Sequence, residues 1–372
     1  MRIAIVSAIY PFKGGIAQFA GAMHQGFENL GHEVKAFTFS RQYPNFLYPG
    51  DNQYVGEDDI VDKIDSSKVI DTINPISYFT TAKAIKAFEP DIVVFKFWLP
   101  FFGPAFGTIA KLLKKNTRII TAVDNVIPHE KRPFDKTLTR YFFKNNHGVF
   151  CMSEQVQNDL NQWIPGTPSA VSPHPIYTLF GEAINKQEAQ KTLGLDATKK
   201  YLLSFGYVRD YKGVDLSIKA LKHLPDHYHL IIAGESYSSM DVYHELIKDL
   251  ELENRIHLFI RYIPQEEVKV FYSASDIALM TYKSATQSGV CSVAINFELP
   301  MVSTPVGGLK EMVKNGENGF LSDTLDPKSI AEAVEKCQAF DQTTLVQGQK
   351  KLKEELSWET YCQRLLDFSN TL

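Results

Sequence analysis

Arg2 to Ala8 is a short, almost wholly apolar run that ends in a turn, and a glycine pair, Gly14-Gly15, follows it. Beyond the glycines, Ile16, Phe19, Ala20, Met23, Phe27 and Leu30 recur with the period of one helix face. Gly31 stands where the end of a helix favours a left-handed residue, and a second apolar run, Val34 to Phe39, comes next. Strand, glycine turn, helix, strand is a βαβ unit, whose crossover commits the chain to a parallel sheet. The spacing repeats, predicting strands at 91–95, 118–123 and 148–152 and helices at 105–114, 135–144 and 154–163.

Four prolines within Pro165-Gly-Thr-Pro-Ser-Ala-Val-Ser-Pro-His-Pro175 interrupt the series and read as a linker without regular structure. A second series follows. Strands are predicted at 201–205, 229–233, 255–259, 276–280 and 301–304, and helices at 214–224, 240–250, 265–273, 289–297 and 326–339. A separate amphipathic helix begins at Ser357. The expected fold class is α/β, with two Rossmann-like, doubly wound parallel-sheet domains facing a cleft. A chain of 372 residues suits two such domains. In open α/β sheets ligands bind beyond the carboxyl ends of the strands, and the cleft is the expected site.

Charge and cysteine usage narrow the class. The net charge of −4 argues against a nucleic-acid partner. No apolar run reaches the ~18 residues of a membrane-spanning helix. The start of the chain imitates a signal peptide, but it runs into Pro11-Phe-Lys-Gly-Gly15, and a buried strand fits better. Cys151, Cys291, Cys337 and Cys362 are scattered, which suits reduced thiols in a cytoplasmic protein rather than a zinc site or disulfide framework. Residues 111–147 carry nine Lys+Arg against three Asp+Glu, interleaved with Phe134, Leu138, Tyr141, Phe142 and Phe143. That stretch is either a peripheral contact with an anionic membrane, on its inner face, or a solvated helix face.

The residues that carry chemistry gather after predicted strands. In Phe205-Gly-Tyr-Val-Arg-Asp-Tyr-Lys-Gly213 the strand ends, Gly206 allows a tight turn, and Arg209 and Lys212 follow in the loop. A guanidinium fork and an ammonium together suit a diphosphate; a surface loop with two solvated cations is the alternative. Thr286-Gln-Ser-Gly289 precedes a helix, so Gln287, Ser288 and Gly289 would present backbone N–H groups to an anion or simply cap the helix. After Thr304, Gly307-Gly308 marks another tight turn, and Glu311 either accepts from a hydroxyl or stabilises a helix start. Gly14 and Gly15 open the first crossover helix, beside Lys13. Asp124, Asn125, His129 and Glu130 crowd the loop after the strand ending near Val123, for catalysis, acceptor binding or loop capping. The glycine pair is not the G-x-G-x-x-G fingerprint, and G-x-x-x-x-G-K-[ST], G-x-S-x-G and H-E-x-x-H are all missing.

Taken together, Lys13-Gly-Gly15, Gly206 with Arg209 and Lys212, Ser284-Ala-Thr-Gln-Ser-Gly289, Pro305-Val-Gly-Gly308 with Glu311, and Asn315-Gly-Glu-Asn-Gly-Phe-Leu321 resemble family 4 of the retaining glycosyltransferases, of GT-B architecture. The resemblance implies an acceptor-binding domain at 1–168, a nucleotide-sugar domain at 169–356, and a final helix, 357–372, packed on the first domain. It implies a UDP- or GDP-linked sugar as co-substrate, no other cofactor, no metal, and a glycan or lipid-linked acceptor of bacterial polysaccharide or lipid-linked glycan synthesis. Arg209 and Lys212 would hold the leaving diphosphate, Ile263 would lie beside the base, and Gly206, Gln287, Ser288, Gly289, Glu311, Gly14 and Gly15 would contact the donor. Asp124 and His129 would serve catalysis, and Asn125 and Glu130 the acceptor. One departure stands out: where many members carry two glutamates, this chain has Ala285 and Val293. A sugar-nucleotide epimerase of the same fold and an inactive sugar-nucleotide-binding relative are the competing readings.

Overall fold

The computed structural model describes residues 1–43, 54–55, 63–128, 132–176, 180–236, 239–284 and 289–372. The chain divides into two compact units, one of residues 1–175 with 356–372 and one of residues 176–355.

The first unit runs β1 (Arg2–Val6), α1 (Gly15–Asn29), β2 (Glu33–Arg41), β3 (Ser66–Asp71), α2 (Pro75–Ala87), β4 (Ile92–Phe97), α3 (Gly103–Leu113), β5 (Arg118–Val123), α4 (Asp135–Phe143), β6 (Gly148–Cys151), α5 (Glu154–Trp163) and β7 (Ser169–Val171). Its sheet is parallel throughout, in the order β3-β2-β1-β4-β5-β6-β7. The second unit holds α6 (Lys186–Thr192), β8 (Lys200–Phe205), α7 (Val214–Leu221), β9 (Tyr228–Ala233), α8 (Asp241–Asp249), β10 (Ile256–Phe259), α9 (Gln265–Ala274), β11 (Ile277–Met280), α10 (Gly289–Asn296), β12 (Met301–Ser303), α11 (Leu309–Met312), β13 (Gly319–Leu321), α12 (Pro327–Ala339) and α13 (Gln342–Glu355). Its sheet, also parallel, is ordered β10-β9-β8-β11-β12-β13. The chain closes with α14 (Trp358–Asn370), which counts with the first unit.

Both sheets are Rossmann-like. Strand succession reverses between β1 and β4 in one and between β8 and β11 in the other, which defines a switch point in each. The strands read as continuous apolar runs because helices cover both faces. On one face of the first sheet Val93, Phe95 and Phe97 meet Phe102, Phe106 and Phe142. Each such side chain contributes ~1.5–3 kcal/mol on leaving water. On the other face Phe19 of α1 meets Trp358 and Tyr361 of α14 edge-on, at centroid distances of 4.8 and 5.6 Å. The two helices approach closely at Gly26, where a Cβ would stand 3.0 Å from Cys362 Sγ and 3.1 Å from the Trp358 carbonyl oxygen.

The expected linker needs correcting. Ser169–Val171, between Pro168 and Pro173, pairs with β6 as an edge strand, because these three residues keep the N–H groups that the prolines lack. The division between units therefore falls after Pro175 rather than after residue 168, and the second unit ends at Glu355 rather than at 356. The pair β3 and α2, helices α6, α11 and α13, and strand β13 add to the expected elements.

Candidate functional site

At the switch point of the second sheet, β8 ends at Phe205 and the chain turns at Gly206, whose φ of +92° suits glycine alone. The Gly206 N–H donates to the Ala233 carbonyl at 2.9 Å, continuing the ladder by one residue. Arg209 is extended, and a single turn over Asp210–Lys212 leads into α7. That turn carries Lys212 back over the end of β8. A Cβ on Gly206 would lie 2.8 Å from Lys212 Nζ and 3.4 Å from Val290 Cγ2, so the ammonium, the strand end and the first turn of α10 share one place. Lys212 Nζ also stands 5.7 Å from the ring centroid of Tyr282, a buried residue just beyond β11.

The lysines here differ in what neutralises them. Lys283 bonds Asp210 at 2.7 Å and Asp215 at 3.0 Å, and the bond to Asp210 raises its ammonium above the usual range. Lys212 is half-buried; burial first, then the Arg209 guanidinium, lower it to about 8, and no carboxylate among the described residues offsets them. Arg209 is exposed, its guanidinium carbon 5.9 Å from the Tyr207 ring centroid. A partly desolvated cation beside a second cation is a setting that an anion relieves.

Gly289 opens α10 and is exposed, with open space where a Cβ would be. Gln287, Ser288 and Ala285 lie outside the described residues, as do His129 and Glu130. Val293 is buried on α10. Ile263 is half-buried in the loop after β10, two strands from β8, where its neighbour Arg261 pairs with Glu267. Glu311 is exposed on the short α11, after β12.

In the first unit, Gly14 (φ +99°) precedes α1 with no side-chain cap, and a Cβ on Gly14 or Gly15 would meet nothing within 4 Å. Asp124 follows β5, with half-buried Asn125 beside it. Lys96 of β4, wholly buried, bonds Asp124 Oδ1 at 2.5 Å. His174 is also near: its imidazole packs edge-on against Phe19 at 5.3 Å, its Nδ1 donates to the Pro175 carbonyl at 2.6 Å, and burial lowers its pKa. Sequence reasoning passed over Lys96, His174 and Tyr282. The signal for Lys96 was a lone charge inside Ile92-Val-Val-Phe-Lys-Phe97.

The basic stretch divides between two uses. Lys114 donates to the Lys144 carbonyl, Arg118 to Ser369 and Asn370, and Arg140 to the Trp163 carbonyl, so these cations tie elements together. Phe134 is 76% exposed and Tyr141 38%, beside exposed Lys136.

Two Rossmann-like parallel sheets, the second with a cationic turn at its switch point, define the GT-B class of fold. The family described as Glycosyltransferase Family 4 matches residues 13–178, and that described as Glycosyl transferases group 1 matches residues 185–342. With most of the sequence covered, the chain belongs to these glycosyltransferases. It is similar to the D-inositol 3-phosphate glycosyltransferase of Corynebacterium urealyticum, 24% identical over 225 residues, which are 58% of this chain and 49% of that protein. The chain thus spans about half the length of that relative. A glycosyltransferase of Methanocaldococcus jannaschii is 21% identical over 410 aligned positions, covering 99% of this chain and 97% of that one. Among solved structures, Anabaena HepE in complex with UDP superposes with a TM-score of 0.64 at 15% identity, over the whole of both chains. No helix among the described residues is long and apolar enough to cross a membrane.

Proposed function

We propose that this chain transfers a sugar from a nucleoside diphosphate sugar to an acceptor hydroxyl, with retention at the anomeric carbon. The observation that carries the reading is Lys212: a half-buried ammonium at a switch point, held against Gly206 and the start of α10, next to a second cation and, among the described residues, without a carboxylate to offset it. HepE, whose fold is shared, was solved with UDP, which supports UDP as the first nucleotide to try.

The mechanism follows from where charge develops. Breaking the bond from the anomeric carbon to the phosphate oxygen leaves negative charge on the diphosphate and positive charge on the ring. Lys212, Arg209 and the N–H groups at the start of α10 stabilise the diphosphate more as that charge grows. The acceptor oxygen bonds to the anomeric carbon, and its proton passes to the departing phosphate. The donor rests on Gly206, Gln287, Ser288, Gly289 and Glu311, with the base beside Ile263. Asp124, Asn125, His129 and Glu130 serve the acceptor side. The acceptor is a glycan or lipid-linked glycan, and the stretch at 111–147 brings the protein to an anionic membrane through Phe134 and Lys136.

The test is a calorimetric screen of UDP, GDP and ADP, then a search for nucleoside diphosphate release from the matching sugars, with and without glycan acceptors. Tight diphosphate binding with acceptor-dependent release supports the reading. An epimer formed without acceptor replaces it with epimerisation, and binding without release leaves a sugar-nucleotide-binding protein.

A further inference from the structure

A central strand of a parallel sheet, covered on both faces, is expected to be apolar from end to end. β4 complies except at Lys96, its only charged residue, whose side chain is wholly buried. The ammonium stands 3.6 Å from the centroid of Phe19, 3.9 Å from Met152 Sδ and 2.5 Å from Asp124 Oδ1. The ring face offsets part of the lost hydration, and Asp124 supplies the countercharge. A methionine would occupy the same stem without burying a charge. Buried ion pairs are often neutral or worse for stability against an apolar replacement, so the pair is poorly explained as a stabilising device.

Asp124 lies at the carboxyl end of β5, the edge where open α/β sheets bind ligands, and its side chain keeps 25% of its exposure. Lys96 reaches it from β4, and the Asp124 charge is felt by His174 in the segment after β7 and by Tyr361 on α14. Burial lowers the His174 imidazole and keeps it neutral near pH 7. The Tyr361 hydroxyl, also buried, finds no hydrogen-bond partner among the described residues. Lys96 is therefore the cation that balances Asp124 in this cluster.

We propose that Lys96 is a positioning residue: by holding one carboxylate oxygen of Asp124, it turns the other toward a sugar hydroxyl and keeps it an acceptor. The inference rests on the glycosyltransferase reading, with Asp124 at the reacting end of the first unit. Burial lowers Lys96 to about 8 against the pull of Asp124, so the hold weakens as the pH rises through that value.

The experiment compares wild type, Lys96→Arg, Lys96→Met, Asp124→Asn and Lys96→Met with Asp124→Asn, measuring diphosphate release from UDP-glucose or GDP-mannose across pH 6–10. Lys96→Met is expected to lower kcat by about 10²-fold with the donor KM changed by less than about twofold. Lys96→Arg is expected to keep kcat within about fivefold of wild type and to move the alkaline fall of kcat upward by more than about one pH unit, because a guanidinium stays charged. In the Asp124→Asn background, Lys96→Met should change kcat by less than about twofold. The inference is overturned if the effects of Lys96→Met and Asp124→Asn multiply, or if Lys96→Arg leaves the alkaline limb in place. Should Lys96→Met not fold, the Lys96→Arg profile decides alone. A wild type that turns the donor over, with Lys96→Met as fast, overturns this inference and spares the proposed function. A wild type that neither binds nor consumes nucleotide sugars overturns both.

Discussion

The Lys212 ammonium occupies the space beside the Gly206 α-carbon, 2.8 Å from where a Cβ would stand. A side chain there would displace the charge rather than crush the backbone, because the ammonium ends a flexible stem. Gly206→Ala should therefore weaken UDP binding by about tenfold, about 1.4 kcal/mol. The φ of +92° should cost a further 1–2 kcal/mol or so of stability in any residue with a Cβ. Calorimetry and urea unfolding separate the two losses; undiminished UDP affinity would remove Lys212 from the diphosphate.

Lys212→Met should lower turnover by about 10²-fold, the scale of losing one donor to a developing anion. In the free protein Lys212 titrates near 8, so kcat/KM should fall as the pH rises through that value and the ammonium is lost. A bound diphosphate holds the proton, so kcat should be less sensitive to this group. Matching alkaline limbs in the two profiles, both erased by Lys212→Met, would contradict that division.

His229 on β9 and His257 on β10 stack at 5.3 Å, with Nδ1 and Nε2 3.0 Å apart. Burial, then His257, Lys199 and Arg255, lower His229 to about 4, and burial lowers His257 too. Both imidazoles are held below their unfolded value of 6.5, so the unfolded chain takes up more protons as the pH falls. The stability tied to the pair is full above about 6.5 and is lost progressively on the way to about 4. Urea midpoints at pH 7 and pH 5 should differ more for wild type than for His229→Phe with His257→Phe; equal differences would count against the pair.

Phe134 is 76% exposed at the start of α4, near Lys136. If this face meets a membrane, Phe134→Asp with Lys136→Glu should reduce co-sedimentation with vesicles containing phosphatidylglycerol by about fivefold or more, because one apolar and one cationic contribution are lost and two repelled anions are added. Neutral vesicles should bind neither form. Equal sedimentation of the two forms would leave the exposed ring a solvated residue.

What sequence reading recovered, and what it missed, have physical causes. β5 and α5 fall where they were expected to the residue, because Arg118–Val123 is apolar between turns and Ser153 caps Glu154–Trp163 through the Val156 N–H. β3, Ser66–Asp71, is mostly polar and is the end strand in the sheet order, so its pattern carries no strong period, although Asn74-Pro75 signals the helix after it. β7 was hidden by flanking prolines, which forbid a ladder at their own positions and leave Ser169–Val171 between them free to pair. At the candidate site, Gly206, Arg209 and Lys212 were legible as a loop after a strand. The return of Lys212 onto Gly206 was not, since it depends on one tight turn at Asp210–Lys212. Lys96 was legible only as an anomaly, because pairing it with Asp124 requires knowing that β4 and β5 are neighbours.

Because α14 follows the whole of the second unit along the polypeptide, the first unit completes its α1 face last. A ribosome must make residues 176–355 before Trp358 and Tyr361 can reach Phe19, and until then the ring that backs Lys96 waits without its cover. A chain lacking α14 would leave the Phe19 and Phe150 rings without the aromatic cover that Trp358 and Tyr361 give them.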